Sequence, residues 1–345
     1  METILVTGGA GFIGSNFVKL FAEDYNIVVF DSFTYASDVD YIRSINCKIE
    51  LGDIRNFNHV TSIINRYKPR YIVNFAAESH VDNSIDCPLI FVETNIVGTS
   101  CILEAVRLVD FECRLVQVST DEVYGSTLDA SFTEDSHLNP SSPYSSTKAS
   151  ADLIALSYGK TYGLDVVITN SSNNYGPNQH SEKLVPKTIY NAINHIEIPI
   201  YGNGGNIRDW LHVNDNVSAI RLVMERGLSG ERYNIGGGNE KTNIEIAHKI
   251  CDIVDQIKGV FGSPRTKLIK FVTDRPAHDA RYSVDCSKIM KELDWKPTID
   301  FNNGIESTIK WYMHTNKAST KYSRNKYEPL LVNSLSKLLE LSARK

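Results

Sequence analysis

Thr7-Gly-Gly-Ala-Gly-Phe-Ile-Gly14 follows directly on the apolar run Ile4-Leu-Val-Thr7 and opens a helical pattern. Gly8 or Gly9 can make the tight turn and Gly11 lets the backbone approach a pyrophosphate. Gly14 allows close helix–strand packing, and the helix that begins at Phe12 and Ile13 turns its N-terminus to the anion. Asp31 ends the second apolar run, Ile27-Val-Val-Phe30, twenty residues after Gly11. A carboxylate there accepts hydrogen bonds from ribose hydroxyls and repels a 2′-phosphate, and no arginine adjoins it, so NAD is expected over NADP. A glycine turn that serves packing alone is the alternative, and it gives Asp31 no role.

Further apolar runs follow outward from this turn: Tyr71-Ile-Val-Asn-Phe75, Leu115-Val-Gln-Val-Ser119 and Val166-Val-Ile-Thr169, with helical patterns between them. Unbroken β-branched runs of this kind read as strands buried on both faces of a parallel sheet. The fold class expected is α/β, a doubly wound parallel Rossmann sheet with a smaller, interleaved C-terminal substrate domain. Residues 1–172 form the NAD-binding part, with a return at 209–237 where Arg232-Tyr-Asn-Ile235 reads as a further strand. Residues 173–208 and 238–315, broken by Tyr175-Gly-Pro177 and Tyr201-Gly-Asn-Gly-Gly205, form the substrate part. Asp53-Ile54 is expected to end the third strand near the adenine, with a plain turn role for Asp53 as the alternative. Ala76-Ala77 ends the fourth, small enough to let a dinucleotide pass.

The 345 residues exceed one typical domain, and 42% hydrophobic with 22% charged residues is ordinary for a globular chain. A net charge of −5 gives no reason to expect a nucleic-acid partner or an anionic membrane surface. No apolar run of membrane-spanning length is expected, nor a cleavable signal. Six cysteines without a C-x-x-C pair fit a reducing cytoplasm, and nine histidines without ligand spacing give no metal site. Residues 316–345 carry seven Lys/Arg against two Asp/Glu, with leucines at helical spacing. They read as a basic tail with a helix, docked on its own domain or presented to a partner or membrane surface.

Tyr144-Ser-Ser-Thr-Lys148 opens another helical pattern, so the phenol and the ammonium share a face. A nearby cation favours phenolate and lowers the phenol's pKa toward the range of a useful base. Asp121-Glu122 follow the Ser119 strand end. Side-by-side carboxyls resist simultaneous ionisation, which can raise one pKa and leave the other low. Taken without its surroundings, such an acid pair could equally be two solvated loop residues.

With Thr7–Gly14 and Asp31, the segments Ser119-Thr-Asp-Glu-Val-Tyr-Gly125 and Tyr144–Lys148 resemble the extended short-chain dehydrogenase/reductase superfamily. The chain resembles most closely its dTDP-glucose 4,6-dehydratases, over roughly residues 3–313. Ala76-Ala-Glu-Ser-His-Val-Asp82, Ser172-Asn-Asn-Tyr-Gly-Pro177, Glu182-Lys-Leu184, Arg208-Asp-Trp210, Tyr233-Asn-Ile-Gly236 and Asp274-Arg-Pro276 carry the likeness further. The resemblance implies an NAD-dependent hydro-lyase of deoxysugar biosynthesis, rhamnose included. Tyr144, Lys148 and Thr120 would serve C4 oxidation, Glu122 would be the base at C5, and Asp121 the acid to the C6 oxygen. It adds Ser32, Thr34, Ser79, Ser119, Ser171 and Asn173 to the cofactor contacts. It also gives the nucleotide sugar Ser79, Asn173, Glu182, Lys183, Leu184, Tyr201, Arg208, Asn243, Arg275, His278 and Tyr282. A homodimer through helices at 88–109 and 144–162 is implied as well. Asn83, Ala277, Ser32 and Ser171 stand where the family usually has arginine, glycine, lysine and cysteine. The same reaction on UDP-glucose, a nucleotide-sugar 4-epimerase and a non-catalytic NAD-binding sensor are the competing readings. An epimerase predicts no adjacent acid pair, and a sensor predicts loss of Tyr144 or Lys148.

Overall fold

The computed structural model describes residues 1–315; the basic tail lies outside the described residues. Seven parallel strands form the main sheet: β1 (Thr3–Thr7), β2 (Asn26–Asp31), β3 (Lys48–Leu51), β4 (Tyr71–Asn74), β5 (Arg114–Thr120), β6 (Asp165–Ser171) and, returning from far along the chain, Arg232–Ile235. Numbered in chain order, β7 (Asn173–Tyr175), β8 (Ile198–Tyr201) and β9 (Ile207–His212) precede that returning strand, β10. β11 (Glu240–Thr242) and β12 (Ile269–Val272) follow it. The sheet order is β10-β6-β5-β4-β1-β2-β3, and it reverses direction between β1 and β4, where doubly wound sheets open their binding crevice. Burial follows the runs: β4 is buried throughout and β5 at every position after Arg114.

Polar side chains stitch the strand ends from within. Thr7 donates to Asn74 at 2.6 Å and Asn74 to Gln117 at 2.8 Å, joining β1, β4 and β5 beneath the crevice. Beyond the sheet, β11-β9-β7 and β12-β8 make two small sheets over a second core that includes Val185, Ile200, Trp210, Ile250 and Ile305. Phe12–Phe21 and Val213–Arg226 are helices that pack on each other on one face of the main sheet, so β9 and the helix after it tie this second region to the first.

Two expectations need correction. β3 ends at Leu51, and Asp53 and Ile54 belong to the loop beyond it. Asp53 accepts the Arg55 N–H and its guanidinium there, the turn role with a salt bridge added. The segment Pro88–Arg107 is, by length and a mean hydropathy of 1.5, long and apolar enough to cross a membrane, against the expectation of no such run. Its charged residues are Glu93, Glu104 and Arg107, and Phe91, Ile102, Leu103 and Val106 are buried in the protein.

Candidate active site

The helix Pro143–Tyr162 is set by its ends. Ser142 caps it and exchanges hydrogen bonds with Ser145, Pro143 takes the first position, and Gly163 closes it at φ 73°. Tyr144 and Lys148 therefore lie on its first turns, both buried, against the end of β5. β5 runs into a short 3-10 turn, Asp121–Tyr124, capped by Thr120, whose Oγ1 accepts from the Glu122 N–H at 3.3 Å and donates to Asp121 at 3.1 Å. The Thr120 hydroxyl also lies close enough to the Tyr144 phenol to favour its ionised form, against the larger effect of burial.

Electrostatics separates the two acids. Burial first, then the neighbouring Glu122, pushes the Asp121 carboxyl up to about 8, and its Oδ2 is buried without a hydrogen-bond partner. Burial also raises Glu122, but Arg275, Arg208 and Lys183 pull it back down. Both carboxyls are thus raised, rather than one raised and one left low, because both lie out of water. The expectation for Tyr144 also changes. Burial, then Glu122 and Asp121, push its phenol up. Lys148 donates to the Val118 carbonyl at 2.6 Å, and burial lowers its own pKa to about 8.

A cleft above the β1–β4 switch point brings together most of the expected cofactor residues: Gly8, Gly11, Phe12, Ile13, Gly14, Asp31, Ser32, Thr34, Asp53, Ile54, Ala76, Ala77, Ser79, Ser119, Tyr144 and Lys148, with Glu182 and Lys183. Gly8 has φ 67°, and a Cβ there would come within 2.6 Å of the Ala76 nitrogen. A Cβ on Gly14 would collide with the Gly8 carbonyl. Gly11 caps the helix with no side chain on its first-turn N–H groups, which leaves them for an anion. Asp31 is buried and fixed by the Ala10 N–H at 2.9 Å and the Phe33 N–H at 2.7 Å, each oxygen keeping a second lone pair for a hydroxyl. These features fit a dinucleotide with a free ribose 2′-hydroxyl. Arg55 also lines the cleft, but Asp53 and Glu93 engage it, so it is not free to bind a 2′-phosphate.

The remaining expected residues divide. Arg208 is buried, stacked 4.1 Å over the Tyr282 ring and donating to the Asp279 carbonyl. Arg275 pairs with Asp82 at 3.1 Å, and the Tyr201 hydroxyl reaches the same carboxylate at 2.9 Å. His278 packs edge-on to Tyr201 and bonds Asp274. Lys183 donates to the Ser79 carbonyl at 2.7 Å. Ser171, by contrast, gives its hydroxyl to Asn216 in the interior, and Leu184 packs at the second core. Asn173 and Asn243 are half-buried at the starts of β7 and of the helix Asn243–Lys258, and neither lines the cleft. Asn83 is buried against the Tyr35 hydroxyl, which itself reaches Glu182. Ala277 holds φ 51°, a conformation glycine adopts without strain. Asp82, Tyr35 and Glu78 were missed as site groups. Asp82 and Glu78 lie within the segment Ala76–Asp82, whereas only tertiary contact reveals Tyr35.

Fold and site together define the class, a short-chain dehydrogenase/reductase scaffold of the extended type with an acid pair beside its tyrosine. The sequence matches the family model described as GDP-mannose 4,6 dehydratase over residues 5–308. A dTDP-glucose 4,6-dehydratase of Xanthomonas campestris pv. campestris is 44% identical over 91% of this chain and 93% of its own. The dTDP-glucose 4,6-dehydratase of Bacillus anthracis, solved in complex with NAD, is 45% identical, covers 92% of this chain and 98% of its own, and superposes at a TM-score of 0.84. That of Streptomyces venezuelae, with NAD and a dTDP ligand bound, is 42% identical over 91% and 98%, with a TM-score of 0.86. The chain belongs to this nucleotide-sugar 4,6-dehydratase family, alongside its dTDP-glucose members.

Proposed function

We propose that the protein is an NAD-dependent dTDP-glucose 4,6-dehydratase that yields dTDP-4-keto-6-deoxyglucose. The observation that carries the reading is the acid pair: a buried Asp121, neutral to about pH 8, beside a Glu122 faced by three cations, on a turn that Thr120 caps next to Tyr144. NAD, when bound, supplies reversible hydride transfer, accepting from C4 and returning to C6. Gly8, Gly11, Phe12, Ile13, Gly14 and Asp31 would hold it, with Tyr144 and Lys148 at its reactive end.

Burial and the two carboxyls hold the Tyr144 phenol protonated in the free protein; once the positive charge of bound NAD offsets them, Tyr144 would take the C4 hydroxyl proton while Thr120 steadies that oxygen. The resulting ketone acidifies C5, where Glu122 removes the proton, and Asp121 protonates the departing C6 hydroxyl. Glu122 then returns its proton to C5. Arg208, Arg275 and Lys183 bind the diphosphate, the guanidinium forks matching its geometry. His278, Tyr201, Tyr282, Asn173 and Asn243 frame sugar and base, on a substrate unit formed by residues 173–208 and 238–315.

The protein is a cytoplasmic homodimer in this reading. Six free cysteines support the compartment. Leu89, Val97, Leu153 and Tyr162, exposed along the helices Pro88–Arg107 and Pro143–Tyr162, support the assembly.

Incubation with dTDP-glucose and separately with UDP-glucose, followed by mass spectrometry, tests the activity and the base preference. Loss of one water with a new keto group from dTDP-glucose is expected. An unchanged mass with a C4 epimer would favour an epimerase. Asp121→Asn with Glu122→Gln should bind substrate and lose dehydration, and near-normal turnover in that double variant would sink the assignment.

A further inference from the structure

Asp152 sits one helical turn beyond Lys148, with no exposure to solvent. Its Oδ2 accepts from the Ser119 hydroxyl at 2.8 Å, from Arg232 at 2.8 Å and from the Asn170 amide at 3.3 Å. Asn170 donates in turn to the Thr120 carbonyl at 3.1 Å. One carboxylate thus joins the helix of Tyr144 and Lys148 to β5, β6 and β10, immediately beneath the turn that presents the acid pair. Its Oδ1 is buried without a hydrogen-bond partner. Buried ion pairs add little net stability over a well-packed apolar substitute. The pair is better explained by its effect on its neighbours.

We propose that Asp152, paired with Arg232, is a positioning residue that locks the Tyr144/Lys148 helix to the strand end bearing Thr120 and keeps a negative charge beside the Lys148 ammonium. This rests on the reading of Tyr144 and Lys148 as the oxidising pair. The titratable and charged groups around Lys148 are Tyr144 and Asp152 on its own helix, Asp121 and Glu122 beyond β5, and Arg232 on β10. On the other helices packed there, Asp82 is engaged by Arg275, Glu93 by Arg55 and Glu104 by Arg107. Burial drives Lys148 toward its neutral form, and Asp152 is the group that opposes this.

Arg232 would be stranded by Asp152→Asn alone, so the test uses Asp152→Asn with Arg232→Gln. In the NAD-loaded full chain carrying 13Cε-lysine, with the Lys148 signal assigned through Lys148→Arg, the double variant should titrate at least about one pH unit lower than wild type, a tenfold loss of proton affinity. The alkaline limb of turnover should move with it, and Asp152→Glu should restore both. Asp255→Asn, which breaks the Arg265 pair in the second core, should lower the melting temperature and leave the Lys148 midpoint in place. An unchanged Lys148 midpoint in the double variant would overturn the proposal. Wild-type protein that shows the Lys148 titration yet leaves dTDP-glucose unaltered would instead count against the dehydratase reading.

Discussion

Replacing Asp121 by asparagine should slow dehydration severely and make the fold's stability less sensitive to pH. The Asp121 side chain is 2% exposed, and burial with Glu122 holds its carboxyl at about 8. In the unfolded chain the same group ionises near 4. Folding therefore takes up a proton between those values, and stability is lost as pH rises through that window. Each pH unit is worth about 1.4 kcal/mol, so from pH 5 to pH 7 the native protein loses about 2–3 kcal/mol through this one group. Asparagine escapes that loss. Its amide leaves a buried donor without an acceptor, a pH-independent cost of about 1–3 kcal/mol. Urea unfolding of both proteins at pH 5, 6 and 7 reads the difference, with turnover measured alongside. The stability of the variant relative to wild type should rise by about 2–3 kcal/mol between pH 5 and pH 7, whatever its value at either end. Dehydration should fall by about 10²–10⁴-fold. A relative stability that stays flat with pH would show that Asp121 ionises as an ordinary surface acid does, and its role as the proton donor would lose its physical basis.

Tyr144→Phe should keep nucleotide-sugar binding, read by calorimetry, while C4 oxidation falls by about 10²–10⁴-fold; unchanged oxidation would move the base elsewhere. Gly8→Ala forces a Cβ against the Ala76 backbone at a positive φ, so NAD affinity should drop and the melting temperature should fall by several degrees. Leu89→Glu with Leu153→Glu places charge on the exposed faces of the two helices and should yield a monomer by light scattering. A dimer that survives both changes would put the interface on another surface.

The sheet and its glycine turn were legible because they are local. The turn, the first-helix start and Asp31 all fall within 25 residues, and β-branched runs declare buried strands without tertiary knowledge. The helix Pro143–Tyr162 was legible in the helical pattern that opens at Tyr144, and the cap residues Ser142, Pro143 and Gly163 agree with it. What escaped was set by contacts distant in sequence. Tyr35 meets Glu182 across 147 positions, and Arg275 meets Asp82 across 193, so no spacing rule reveals either. The direction of the Tyr144 shift escaped for the same reason. Helical spacing promised a cation beside the phenol, but the protein spends the Lys148 ammonium on the Val118 carbonyl and sets two carboxyls near the phenol instead. Asp152 could have been found, since it repeats the four-residue step from Lys148 that made Tyr144 and Lys148 a pair.

In the proposed cycle one active site oxidises C4, expels water across C5 and C6, and delivers the same hydride to C6. Turnover of dTDP-glucose carrying deuterium at C4, with the product read by mass spectrometry and NMR, tests it most directly. The expected product is lighter by one water, bears a ketone at C4 and carries the deuterium on the C6 methyl group. Deuterium found still at C4 or lost from the sugar altogether would contradict it.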